Sequence, residues 1–458
     1  MKTIEIPNLR IRAYSEHSEV YQFAEYLVDD YLATKERVRD KNQYLLTARK
    51  LIASIWLVEG DLFKFTTKDE YFSKKERKQV WMTKKVLKLF RHLKSIEPKL
   101  INVVVKGVPP DVSKSGKGLN TVYSRAFIFT QRLKSLKEAD ILPDPELEVI
   151  ELKDEDKKPL PIPSEEREQE WFIRSTEILN KHFEFLRNSN LTYSDGSRIA
   201  PLHYFYQRKF KLDFLSGGRW YSDFNLWSKK KRLSILLNNE SALSIDISQL
   251  HPSLIMRLYH HQSDEPIGLM RGELKDAYDM PKYDYLPRVV HKKLINTLFN
   301  SITQESALKS IMTAHLDVNE DGEYVCNTYK GKQKRKGEKI FKDNMKGARE
   351  YMSYFKFIHP YYSEAICSGI GIKLQHMDSR LVTNMIDVAT TINLPILPVH
   401  DEFVFPEKRL EDIKELLRRV FQITYGALGQ IGTLNCKLSD KNGDEKEISL
   451  NLENSSHQ

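Results

Sequence analysis

The chain has 458 residues, 40% of them hydrophobic, with 72 Lys and Arg against 63 Asp and Glu for a formal charge of +9. That length carries more than one packed core, the composition excludes a disordered polyelectrolyte, and the positive balance suits a polyanion such as nucleic acid. Three scattered cysteines (Cys326, Cys367, Cys436) without CxxC or His–Cys spacing exclude a zinc cage and a disulfide framework, and no run approaches the ~18 apolar residues of a membrane span, so a soluble, cytoplasmic protein with no membrane partner is expected.

Residues 1 to about 70 follow a helical pattern, as in YLLTARKLIASIWLVEG, where Leu45, Leu46, Ala48, Leu51, Ile52 and Ile55 fall on one repeat. A second helix is predicted over Lys75–Ile96. Val86, Leu89, Phe90 and Leu93 make its apolar stripe, and Lys84, Lys85, Lys88, Arg91 and Lys94 lie largely off it. Next come LINVVVKG, the loop VPPDVSKSGKG and LNTVYSRAFIF, which read as a β-hairpin with a long tip. Helix, basic helix and hairpin over residues 1–142 resemble a winged-helix module. In such a module the basic helix enters a DNA groove while Lys114 and Lys117 at the hairpin tip follow the phosphates; the alternative is an ordinary α/β cap with a solvated basic face. The charged, proline-bearing stretch 143–169 reads as a linker.

Beyond it, SALSIDISQLHPSLIMRLYHH puts Asp246 at the end of a strand, with a helix opening near Pro252. In LPRVVHKKLINTLFNSITQ, Pro287 opens another helix. Arg288, Lys292, Asn296 and Asn300 recur there at every fourth position as a polar row, with Leu294, Leu298 and Ile302 turned elsewhere. An Arg fork and a Lys point charge on one face suit a polyphosphate, although an Arg–Lys pair on a helix is usually just a solvated face. The basic run YKGKQKRKGEKIFK, 329–342, reads as a solvated loop, with phosphate contact as the sharper option. In ILPVHDEFVFPEK, two strand-like runs flank His400, Asp401 and Glu402, so that a tight hairpin presents a second strand-end carboxylate. Two such aspartates converging on one sheet edge can hold two hard divalent cations, since Mg²⁺ takes only one or two protein carboxylates and fills its octahedron with water and phosphate oxygens. That arrangement serves in-line phosphoryl displacement.

Taken together and in this order, these segments resemble the family A DNA polymerases, in a compact phage or mobile-element form. DISQ at Asp246–Gln249 is similar to their motif A, Arg288 and Lys292 to their RxxxK finger helix, and VHDE at Val399–Glu402 to their motif C. SGGRWYSDFN resembles their minor-groove segment, and LQHMDS is a weaker match. The resemblance covers residues 208 to 421. It implies an α+β fold with a right-hand-like palm and fingers, an antiparallel sheet with helices, preceded by a mostly helical winged-helix-like domain. Residues 170–245 would be thumb-like and upstream palm, and 246–458 palm with a fingers insertion over roughly 265–360. The implied activity is DNA replication chemistry: deoxynucleotide (dNTP) addition to the 3′-OH of a DNA primer–template with two Mg²⁺ ions, or Mn²⁺.

The same resemblance makes Asp246, Asp401 and Glu402 the catalytic residues, and Asp246, Asp401 and the Ile247 carbonyl the metal ligands. Arg288 and Lys292, with His251, Asn296 and Asn300 lining the pocket, would bind the nucleotide, and Arg219, Gln375 and His400 would touch DNA. Departures accompany it. The family's ribose-excluding glutamate, five positions after the motif A aspartate, is His251 here; its arginine seven positions after is Ser253; and the aromatic, glycine and tyrosine of its finger helix are Asn296, Thr297 and Asn300. A primase or RNA-synthesising relative therefore stays open, as does a DNA-binding replication initiator with a relic palm. No acidic cluster suggests a 3′–5′ exonuclease.

Overall fold

The structure is a computed structural model that describes residues 12–34, 40–58, 62–65, 83–96, 100–108, 120–125, 127–156, 158–259, 277–318, 322, 324–328, 337–342, 345–429 and 432–452. The chain is mixed α and β with several sheets, in keeping with the α+β expectation. It divides into an N-terminal unit, 1–207 with 221–227, and a C-terminal unit, 208–220 with 228–458.

In the N-terminal unit, helices α1 (Ser18–Ala33), α2 (Lys41–Trp56) and α3 (Lys84–Ser95) pack on one another around a core that includes Phe23, Leu27, Leu51, Ile52, Phe90 and Phe129. Asp40 caps α2 through the Gln43 N–H, and Thr83 caps α3 through the Val86 N–H, each filling a donor that the first helical turn leaves open. On α3, Val86, Leu87, Leu89, Phe90 and Leu93 are buried, while Lys84, Lys88 and Arg91 are exposed along one line. Strands β1 (Leu62–Phe65), β2 (Ile101–Val108) and β3 (Asn120–Arg125) form an antiparallel sheet in the order β1-β3-β2. The expected hairpin is therefore present with a third strand added; its tip, with Lys114 and Lys117, lies outside the described residues.

Where a linker was expected over 143–169, the chain forms strands β4 (Ile150–Lys153) and β5 (Pro159–Leu160), which pair with each other, and it buries Ile150, Leu152 and Ile162. Ile150 and Leu152 alternate with charged residues, a strand period that the surrounding charge obscures. Helix α4 (Glu170–Asn188) follows in the same unit.

The C-terminal unit holds the hairpin β6 (Gln207–Lys211) and β7 (Asp213–Tyr221) apart from its two outermost residues, the short helix α5 (Lys229–Leu233), β8 (Leu236–Leu237) and β9 (Glu240–Ile247). Helix α6 (Leu250–Tyr259) comes next, then α7 (Arg288–Asn300), α8 (Gln304–Ile311) and a small sheet of β10 (Ala314–Val318), β11 (Tyr324–Thr328) and β12 (Glu338–Lys339). The remainder is α9 (Met345–Ile358), α10 (Ile370–Thr391), the hairpin β13 (Leu397–Val399) and β14 (Glu402–Pro406), α11 (Leu410–Tyr425), and the hairpin β15 (Thr433–Ser439) and β16 (Glu445–Asn451). In the main antiparallel sheet β9 is central, with β14 and then β13 on one side and β8 and β15 also pairing with it. Ile245, Phe403, Val404 and Phe405 are fully buried, and α11 packs on α10 and on β14. No helix among the described residues is long and apolar enough to cross a membrane.

Candidate active site at the end of the central strand

Antiparallel pairing sets Asp246 of β9 directly opposite Glu402 of β14, and opposite Lys437 of β15 on its other side. Cross-strand neighbours project from the same face of a sheet, so register alone gathers these three side chains. Asp401 is brought alongside by the tight turn from β13 to β14: Val399 pairs with Glu402, leaving a loop of His400 and Asp401. The Ile247 N–H donates to the Asp401 carbonyl at 3.1 Å, tying the turn to the end of β9.

Both loops at this edge carry unusual backbone. His400 has φ 60° and Gln249, three residues after Asp246, has φ 55°. Positive φ at a non-glycine residue costs free energy that its surroundings must offset, and such residues gather at functional sites. Gln249 is held by its side-chain oxygen, which accepts from the Ala277 N–H at 2.8 Å. Helix α6 then begins at Leu250, two residues before Pro252, where the sequence suggested its start.

Burial pushes the Asp246 carboxyl up to about 7, reinforced by the neighbouring Asp401 and Glu402 and opposed by Lys292 and Lys229. Glu402 is itself buried. Its Oε2 accepts from Arg232 Nη2 of α5 at 2.6 Å, while its buried Oε1 has no hydrogen-bond partner among the described residues. Lys229 Nζ donates to Ser439 Oγ at 2.8 Å and pairs with Glu445 at 3.0 Å. The His400 imidazole is held below its usual range by burial first and then by the Arg219 charge, against which Asp401 and Asp378 act.

The site thus brings together Asp246, Asp401, Glu402, Ile247 and His400, with the charge of Lys292 acting on Asp246. On α7, Val290, His291, Leu294, Ile295, Leu298 and Phe299 are buried, and Lys292 is exposed, as the sequence periodicity requires. The Arg288 guanidinium lies 5.1 Å from the Tyr278 ring centroid. Asn300 is exposed at the end of the polar row; its Nδ2 donates to the Asn296 carbonyl at 2.6 Å, and its side chain abuts Gly371 of α10 so closely that a Cβ there would sit 2.1 Å from Oδ1. Ile302 lies beyond the helix end and is exposed, because α7 stops at Asn300. Gln375 is half-buried on α10, one turn before Asp378.

Arg219 and His251 meet on a residue that sequence reasoning missed. Asp378 is fully buried, and its Oδ2 accepts from Arg219 Nε at 2.8 Å, from Arg219 Nη2, and from His251 Nε2 at 2.9 Å. A signal for it was present: Leu374, Asp378 and Val382 are spaced by four on the apolar face of α10, where a carboxylate needs a buried partner. Arg232 and Lys229 were missed because the run KKKRL is basic throughout and carries no local sign of which of its cations would be buried.

Among the described residues, no three His, Cys, Asp or Glu side chains form a group able to hold a metal by themselves. A Mg²⁺ ion does not need one: two aspartates suffice when water and phosphate oxygens complete the shell. The donor set here is hard oxygen in a place of carboxylate repulsion, with a buried Glu402 oxygen left unpartnered among the described residues, and these features fit a divalent cation. No protein-family model matches the chain, and no curated protein matches it significantly.

Proposed function

We propose that the chain is a template-directed DNA polymerase, adding deoxynucleotides to a primer 3′-OH with release of pyrophosphate. The observation that carries this reading is the convergence of Asp246 and Asp401 on one sheet edge, where burial and mutual repulsion drive the Asp246 carboxyl far above its ordinary range. Carboxylates so crowded favour a site that gains positive charge on loading. Divalent cations bound there would supply the charge that stabilises the attacking and leaving oxygens of an in-line displacement. Asp246, Asp401 and the Ile247 carbonyl would hold them.

In this reading the main sheet is the palm and α7 belongs to the fingers. Lys292, whose charge acts on Asp246, neutralises triphosphate oxygens on the same side, and Arg288 offers a planar fork one turn earlier. Glu402 is fixed by Arg232, so it shapes the field around the two aspartates from a set position. The strained turn at His400 holds Asp401 rigidly, as positioning-dominated catalysis needs. The N-terminal unit, with Lys84, Lys88 and Arg91 on one exposed line, is read as a duplex-binding module of winged-helix type.

His251 favours a second reading, a primase or RNA-synthesising relative, because an imidazole tied to Asp378 stands where the resemblance expects a ribose-excluding glutamate. Primer extension with Mg²⁺ and a DNA template, comparing dNTPs with NTPs and primed with unprimed template, decides between them. Extension of the primed template by dNTPs is the expected result; synthesis only from NTPs without primer would establish the second reading. No synthesis in any arm, with duplex binding intact, would leave the initiator with a relic palm.

A further inference from the structure

We propose that Asp378 is a positioning residue that locks Arg219 and His251 into one rigid edge beside the catalytic turn, and that this edge accepts a ribose 2′-hydroxyl. The sugar assignment rests on the polymerase reading above; the lock rests on geometry alone.

Asp378 is buried to 1% side-chain exposure, whereas Arg219 and His251 keep 18% and 19%. A carboxylate fully inside and two polar groups only part-exposed is the arrangement expected when the acid serves to hold the other two. Arg219 can only donate and the carboxylate can only accept, and both Arg219 and His251 Nε2 converge on the same Asp378 oxygen. Nε2 lies closer to this acceptor, at 2.9 Å, than to the Arg219 Nη2 donor, at 3.1 Å, and is assigned the hydrogen. In a neutral ring this leaves Nδ1 as an acceptor. Arg219 Nη2 also lies 3.1 Å from Nε2, so the three groups are close-packed and none can turn without displacing the others.

Two further ties stiffen the same junction between the β6–β7 hairpin and α10. Arg208 Nη2 donates to Ser379 Oγ at 3.2 Å, and Trp220 Nε1 donates to Thr383 Oγ1 at 3.1 Å. The edge adjoins the reacting end of the sheet, since His251 lies in the first turn of α6, five residues after Asp246 at the end of β9. A pentose whose phosphate is handled at Asp246 and Asp401 then has its edge near His251. A fixed acceptor nitrogen there gives a 2′-hydroxyl a partner, whereas a carboxylate pressed on the sugar would exclude it by bulk.

The test uses the full chain. Two-dimensional ¹⁵N spectra of the histidines, assigned through His251→Ala, are expected to show His251 with its hydrogen on Nε2 in wild type and a tautomer mixture in Asp378→Asn. In primer extension, the efficiency ratio of rNTP over dNTP is expected to fall about fivefold in Asp378→Asn, the worth of one neutral hydrogen bond. It should fall equally in His251→Ala, and no further in the double variant. If Asp378→Asn fails to fold, the wild-type tautomer and His251→Ala still decide the matter. A wild-type ring protonated on Nδ1 would overturn the lock. Normal extension with an unchanged ratio in His251→Ala would overturn the sugar assignment alone. Absence of any extension by wild type would overturn the polymerase reading and the sugar assignment with it, while the tautomer still tests the lock.

Discussion

Asp246 faces Glu402 directly across the antiparallel ladder, and the next residue, Ile247, hydrogen-bonds through its N–H to the carbonyl of Asp401. One strand end therefore fixes the position of both motif-bearing turns. Three carboxylates gather there, with Arg232 at hydrogen-bond distance from one of them, and the electrostatic load on that edge bears on its stability and, in the proposed reading, on its affinity for cations.

The first consequence is a pH-dependent weakness of the cation-free protein. Because the folded-state value of Asp246, about 7, stands above its unfolded value, the folded state holds the proton more tightly. Stability is thus unburdened at acid pH and falls as pH rises between about 4 and 7. With a chelator present, Asp246→Asn should match wild type in thermal unfolding at about pH 4 and exceed it by about 4 kcal/mol at about pH 8. Addition of Mg²⁺ should narrow the gap by stabilising wild type. Parallel unfolding profiles across pH would contradict the assignment.

The Arg232–Glu402 pair, at 2.6 Å with side chains 11% and 10% exposed, makes a sharper stability prediction. Replacing Arg232 with Met leaves a buried charge without a partner, and should cost roughly 3 kcal/mol or more in chemical denaturation. Adding Glu402→Gln to that variant should recover a good part of the loss, since the stranded charge is then gone. A loss within about 0.5 kcal/mol for Arg232→Met, the range of ordinary surface changes, would show that the pair is solvated in solution.

In the proposed reading, the exposed line of α3 is the duplex-binding face of the N-terminal unit. Lys84→Glu with Lys88→Glu in the full chain should weaken duplex affinity and make the slope of log affinity against log salt shallower by about 2, near 0.9 for each lost phosphate contact. Fluorescence anisotropy across a salt series measures both quantities. Equal slopes in wild type and variant would return that face to an ordinary solvated one.

How much of this was legible in the sequence depended on whether the signal was local. The strand before Asp246, the turn at His400–Asp401 and the amphipathic helix from Arg288 are each set by nearby periodicity and punctuation, and the structure has them at those positions. Registry across strands is not local: the opposition of Asp246 and Glu402, far apart in the chain, follows from pairing that neither segment encodes alone. Charged stretches concealed ordered structure in two places. The segment 143–169 hides paired strands beneath its charge, and KKKRL supplies a buried arginine to Glu402 from a run that is basic throughout. Asp378 was the readable omission, a carboxylate on an apolar helix face whose partners lie in two other elements.

Whether Asp246 and Asp401 together form a phosphoryl-transfer site is decided by single-turnover primer extension with Mg²⁺ in wild type and in Asp401→Asn. This variant keeps the shape of the turn and removes its charge. The expected result is measurable extension by wild type and a loss of at least about 10³-fold in the variant, more than one electrostatic contributor usually supplies, with thermal stability and duplex affinity unchanged. Extension by Asp401→Asn within about tenfold of wild type, too small a loss for a metal-holding carboxylate, would contradict it.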